Sequence, residues 1–176
     1  MLPDPLHPMI VHFPIVLVIL LPLAAIGALW LIRRGTPVRK AWLLPVGLAA
    51  ALALSSWVAV ETGEQQEDRV ERVVGERPLH SHEEAAELFL LLSGGMVLLA
   101  VVGLAPGRFG KTARATATVG ALALIWAGVQ VGGTGGDLVY RYGAGSAYGT
   151  SATVGRSGEV AREARLGRGD DHEEDR

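Results

Sequence analysis

The sequence predicts an all-α fold: a polytopic four-transmembrane-helix bundle followed by a polar C-terminal tail. Three observations predict it. Apolar residues make up 49% of the 176 positions, and charged residues only 19%. The charges are segregated, leaving 9–32, 41–60, 88–107 and 115–136 without Asp, Glu, Lys or Arg. Each run is long enough for the roughly 20 residues that cross a hydrocarbon core. A soluble bundle would need a polar outer face on each helix, and the first three runs have almost none.

The expected helices are 9–32, 41–60, 85–105 and 114–133, within a domain 1–145. The fourth is the most polar, with Thr116, Thr118, Gln130 and several glycines. The segment before the first run lacks a basic n-region, so that helix is expected to be retained. The first inter-helix loop carries Arg33, Arg34, Arg39 and Lys40, and the third Arg108, Lys111 and Arg114. The connection from Glu61 to Arg77 is instead rich in acids. Positive charge stays in the cytoplasm, which puts both termini on the extracytoplasmic side of a cytoplasmic (inner) membrane. Trp30 and Trp42 flank the first basic loop, as interfacial aromatic residues do.

Within the acidic connection, Thr62-x-x-Gln65 has the spacing of a capping box. Val70, Val73 and Val74 fall on one face of a short amphipathic helix expected on the outer surface. Residues 146–176 are rich in Gly, Ser, Ala and charge, and are expected to form a disordered tail. His172 belongs to that tail.

An internal repeat is visible in outline. Ala51-Leu52-Ala53-Leu54 recurs at Ala121-Leu122-Ala123-Leu124, His12 and His82 share the same 70-residue offset, and Thr62-Gly63 and Thr134-Gly135 lie 72 apart. Two helical hairpins related by an axis along the membrane normal would produce this pattern, as would chance among common residue types.

The four-helix path brings the unusual residues to one end of the bundle. These are His7 and His12; Glu61, Thr62 and Gly63; His80, His82, Glu83, Glu84 and Glu87; then the glycines from Gly132 to Gly136, with Asp137 and Tyr140. His7 reads as an interfacial residue. His12 stands deeper, beside Pro14, where a carbonyl deprived of its helical donor is available. From His82, the helical steps reach Ala85, Ala86 and Phe89, an apolar stripe that turns this histidine inward. From His80 they reach Glu83, Glu84 and Glu87, a polar stripe that turns it outward. The glycines imply close backbone approach or a sharp exit from the fourth helix.

Three chemistries follow. His12 and His82 could supply the imidazoles of a b-type haem. With Glu61 or Glu84 they could instead bind a divalent metal. In a structural reading, the chain is a structural or assembly subunit of a membrane complex whose histidines only hydrogen-bond the helix ends. A small transporter or proton-conducting unit is a further alternative. The absence of cysteine excludes disulfides, thiolate sites and covalent c-type haem attachment. No phosphate loop, zincin helix, nucleophile–base–acid set or nucleic-acid-binding pattern is present.

These residues also carry a resemblance. His7 to Ile15, His-Pro-x-x-Val-His-Phe-Pro-Ile, Thr62-Gly63, His82-Glu83-Glu84 and Gly135 to Tyr140 together resemble the bacterial membrane family called domain of unknown function 2231. The likeness spans about residues 5–145 and implies a four-helix membrane domain without an assigned activity. Some relatives are joined to cytochrome-like modules, which implies a redox setting with other membrane-complex subunits.

Overall fold

In the computed structural model, residues 5–149 are described. The elements are α1 (His7–Ile10), α2 (His12–Arg33), α3 (Val38–Glu64), α4 (Glu67–Val74), α5 (Glu76–Val102), α6 (Gly107–Tyr140) and a 3-10 helix (Ala144–Tyr148). No strand occurs among the described residues. Together α1 and α2 form the span His7–Arg33, and α3, α5 and α6 are also long and apolar enough to cross a membrane.

The chain breaks at Val11 for a local reason. Pro14 has no N–H to give to the Ile10 carbonyl, so the first turn ends there and α2 starts anew. Only Pro22 and Pro45 lie deep inside helices, and both are buried. The four long helices run up and down, and neighbours pack in the order α2, α3, α5, α6, with α6 returning to α2.

The interior is made of small residues. Ala25, Ala28, Ala49, Ala100, Ala117 and Ala121 are buried with Leu21, Leu52, Phe89 and Met96. Large apolar residues point outward: Leu91 is 72% exposed, Leu98 71% and Trp126 68%. Small inside and large outside is the distribution expected where lipid tails are the solvent and backbones approach closely.

The two hairpins repeat one another in burial. Buried Pro14, Val18, Leu21 and Ala25 of α2 stand 75 residues before buried Phe89, Ser93, Met96 and Ala100 of α5. Buried Ala41, Trp42, Pro45, Ala49 and Leu52 of α3 stand 72 before Ala113, Arg114, Ala117, Ala121 and Leu124 of α6. The 70-residue register read from Ala-Leu-Ala-Leu is displaced by two residues from the packing register of α3 and α6, and by five from that of α2 and α5.

Several expectations are corrected. Trp42 is fully buried, with its Nε1 donating to the Ala100 carbonyl at 2.9 Å. Arg114 is also buried, and donates to the carbonyls of Gly103 and Ala105 at the end of α5. A guanidinium there offsets the negative end of the helix dipole. The Thr62 hydroxyl is no N-cap: it lies inside α3 and donates to the Val58 and Ala59 carbonyls.

At the opposite end, α4 forms as its valine face requires, and Val74 is buried with Leu79, Leu138 and Ala144. The glycine-rich stretch does not end α6, which continues to Tyr140. The chain then turns at Gly143, whose φ is +73°, into the 3-10 helix. Residues up to 149 are therefore folded, although composition assigned those from 146 to the tail. Positions 150–176, His172 among them, lie outside the described residues.

Candidate functional site

Seven-residue spacing aligns side chains on one helix face. His7 thus continues the buried column Pro14, Leu21 and Ala28, and His82 the column Phe89, Met96 and Gly103. Where the columns meet, the two imidazoles stand edge to face. Their ring centres are 6.4 Å apart and their planes stand at 86°. His82 points inward, as its apolar stripe requires.

Each ring is anchored by the other helix of its own hairpin. His7 Nδ1 donates to the Ala59 carbonyl at 2.8 Å, with the Thr62 hydroxyl 3.5 Å away. His82 Nδ1 lies 3.0 Å from the Thr134 hydroxyl, and His82 has a backbone hydrogen bond at Val131. Ala59 and Val131, and Thr62 and Thr134, are each 72 residues apart, so the anchors repeat with the hairpins.

The anchors fix the tautomers. A carbonyl only accepts, so His7 Nδ1 carries the proton it shares with Ala59. The Thr134 hydroxyl spends its own proton on the Gln130 and Val131 carbonyls, at 3.3 and 3.0 Å. It therefore accepts from His82 Nδ1. In the neutral state both Nε2 atoms are left as lone-pair nitrogens, the form that ligates metals or accepts protons.

Glycine makes room for each ring. A Cβ at Gly63 would stand 3.3 Å from His7, and one at Gly135 would stand 3.0 Å from His82 Cε1. Close approach was the right reading of the glycine cluster at Gly135.

Both histidines line a pocket of about 630 Å³ at this end of the bundle. Its wall is mainly apolar, including Pro8, Val60, Leu79, Ala86 and Leu138, while Glu64, Glu67, Glu83 and Glu87 provide its acidic groups. The 3-10 helix and α4 form a roof, joined where the Tyr148 hydroxyl donates to Gln66 Oε1. Arg69 stacks on the Tyr148 ring, 5.3 Å from its centre.

The structure does not bring together the set chosen from sequence. His12 is exposed on the outer side of α2, away from the buried column that His7 continues. Glu61 is exposed, and Glu84 is exposed beside His80, 3.3 Å from its Nε2. Asp137 pairs with Arg141 at 3.4 Å on the surface, and Tyr140 is 89% exposed. Among the described residues, no group of three or more His, Asp or Glu is placed to hold a metal ion. Thr62 and Gly63 do belong to the site, but as partners of His7.

Sequence reasoning missed His7 as half of the pair, and with it Thr134 as an anchor. The available signal was the step of seven from His7 to Pro14, parallel to that from His82 to Phe89.

No curated protein and no solved structure matches the chain. The family described as "Predicted membrane protein (DUF2231)" matches residues 3–148. The chain belongs to this family, and the match covers both hairpins, the roof and every residue of the histidine site.

Proposed function

We propose that this family member is a non-enzymatic membrane component that holds a haem b between His7 and His82 and serves electron transfer. The opposed, Nδ1-anchored imidazole pair carries the reading. A metal with an imidazole nitrogen about 2 Å away on each side separates two ring centres by roughly 6 Å. The observed 6.4 Å is close to that. Imidazole nitrogens are among the ligands that hold haem iron, and His7 and His82 would be the residues to hold it here. An apolar pocket of this size suits a flat macrocycle better than a bare ion. Backbone and hydroxyl partners on Nδ1 orient such ligands and raise their basicity.

The basic loops are assigned to the cytoplasm and the pocket to the extracytoplasmic side, with both termini. The lipid bilayer surrounds the bundle. Redox or other membrane-complex subunits are the expected partners, reached through the pocket's end.

The four pocket glutamates favour a second reading. They attract cations, so a divalent metal held by the two imidazoles and completed by water is the alternative. Absorption spectroscopy of the purified protein titrated with hemin tests the first reading. A Soret band that forms with wild type and His12→Ala, but not with His7→Ala or His82→Ala, supports haem. Absence of a Soret shift, with one equivalent of copper or zinc bound in calorimetry, favours the metal. Neither signal from a folded protein leaves the histidines as structural hydrogen-bonders and overturns both.

A further inference from the structure

We propose that the opposite end of the bundle carries a binding site for one anionic phospholipid, in the groove between α2 and α3. The groove is lined by Ala24, Gly27, Ala28, Trp30, Ala41 and Leu44 and has a volume of about 280 Å³. It faces the bilayer. A Cβ at Gly27 would meet nothing within 4 Å, so the dent is open space that no side chain fills.

Charge identifies the occupant. The turn closing the groove and the helix ends beside it carry Arg33, Arg34, Arg39 and Lys40, all exposed, and no acid. Arg34 lies over the Trp30 ring at 4.5 Å from its centre. That stacking holds one guanidinium beside a side chain that lines the groove. Lys40 immediately precedes Ala41, which lines the other side. An apolar slot at acyl-chain depth, flanked by cations at headgroup depth, matches a lipid with a negatively charged phosphate. A guanidinium can grip phosphate oxygens through two donors. A zwitterionic lipid would offer the same chain but a compensating positive charge.

The test reads Trp30 fluorescence in vesicles, using a Trp57→Phe/Trp126→Phe background that removes the other exposed tryptophans. Phosphatidylcholine vesicles contain a minor fraction of phosphatidylglycerol, and one lipid or the other carries brominated chains. A bound anionic lipid makes the brominated phosphatidylglycerol quench Trp30 about twofold more than its bulk share would. The excess is expected to vanish in Arg34→Gln/Lys40→Gln and in Gly27→Leu, and to survive in Arg34→Lys. Quenching proportional to bulk composition overturns the proposal. So does an excess untouched by Arg34→Gln/Lys40→Gln, which would mean diffuse charge attraction alone. Trp30 unquenched by either lipid would mean that a second copy of the chain covers the groove, and overturns it as well.

Discussion

His7 and His82 meet edge to face between the two hairpins, each imidazole held through Nδ1 by the partner helix of its own hairpin. This relationship depends on the repeat. His7 is held at Ala59 and Thr62, His82 at Val131 and Thr134, and the two sets of anchors are 72 residues apart, so equivalent contacts close each hairpin. A pseudo-two-fold arrangement brings two equivalent anchored imidazoles to one axis, where either hairpin alone would present one.

Ligand binding is therefore expected to require both histidines and to ignore His12. His12→Ala removes an exposed side chain and should leave hemin or metal binding unchanged. His7→Ala and His82→Ala should each abolish it. Titration of the three purified variants checks this, and a His12→Ala variant that fails to bind would remove His7 from the pair.

How much of this was legible follows from the same residues. The spans and the orientation of His82 were readable, because α5 carries Glu83, Glu84 and Glu87 beside its apolar stripe. His7 was not, because the span it begins is apolar on every side and has no polar face to orient it. His12 drew attention through its depth, and depth says nothing about which way a residue points. The buried Arg114 was hidden for a related reason. A cation next to a loop reads as a topology signal, and only the fold brings the carbonyls of Gly103 and Ala105 to it.

Thr134→Val should weaken the site more than Thr62→Val. His7 keeps the Ala59 carbonyl at 2.8 Å when Thr62 is replaced. His82 keeps its backbone hydrogen bond at Val131 but loses a hydroxyl at 3.0 Å, whereas the Thr62 hydroxyl stands 3.5 Å from His7. A hydrogen bond of this kind contributes about 0.5–1.5 kcal/mol. An orienting partner of a ligating histidine is worth roughly 10–100-fold in affinity. Comparing hemin or metal affinities of the two variants reads the difference, and equal losses would contradict the assignment of Thr134 as the stronger anchor.

Adjacent glycines of α6 should respond in opposite directions. Gly135→Ala places a Cβ 3.0 Å from the His82 ring. The ring must move, and overpacking of this kind costs about 1–3 kcal/mol. Gly136→Ala meets nothing within 4 Å. It should stabilise the helix by about 0.5–1 kcal/mol, because alanine loses less backbone entropy than glycine. Reversible unfolding in mixed micelles distinguishes them, and similar effects at both positions would rule out close approach at Gly135.

Arg114→Met should be among the most damaging substitutions at the basic end. It leaves the carbonyls of Gly103 and Ala105 without their charged donor. Hydrogen bonds to charged groups are worth about 1.5–3 kcal/mol each. Arg108→Met removes an exposed cation from the same loop and should cost little. The gap is measurable by thermal unfolding, and equal midpoints would return Arg114 to the surface.

The roof should open when its latch is cut. Its apolar cluster, Val74, Leu79, Leu138 and Ala144, is separate from the bundle core, so it can part without disturbing the spans. Both segments of the roof begin or end at a glycine with positive φ, Gly75 at +81° and Gly143 at +73°. Between them, Tyr148 donates to Gln66. Tyr148→Phe removes that hydrogen bond and keeps the ring on Arg69. A net loss of about 1 kcal/mol corresponds to roughly a fivefold larger open population. The chain has no cysteine, so a single Ala86→Cys in the pocket wall reports opening through its rate of labelling by a water-soluble maleimide. That rate should rise about fivefold with Tyr148→Phe, while a cysteine at exposed Glu76 should label equally in both backgrounds. An unchanged rate at position 86 would mean that Tyr148 and Gln66 do not control access to the histidines.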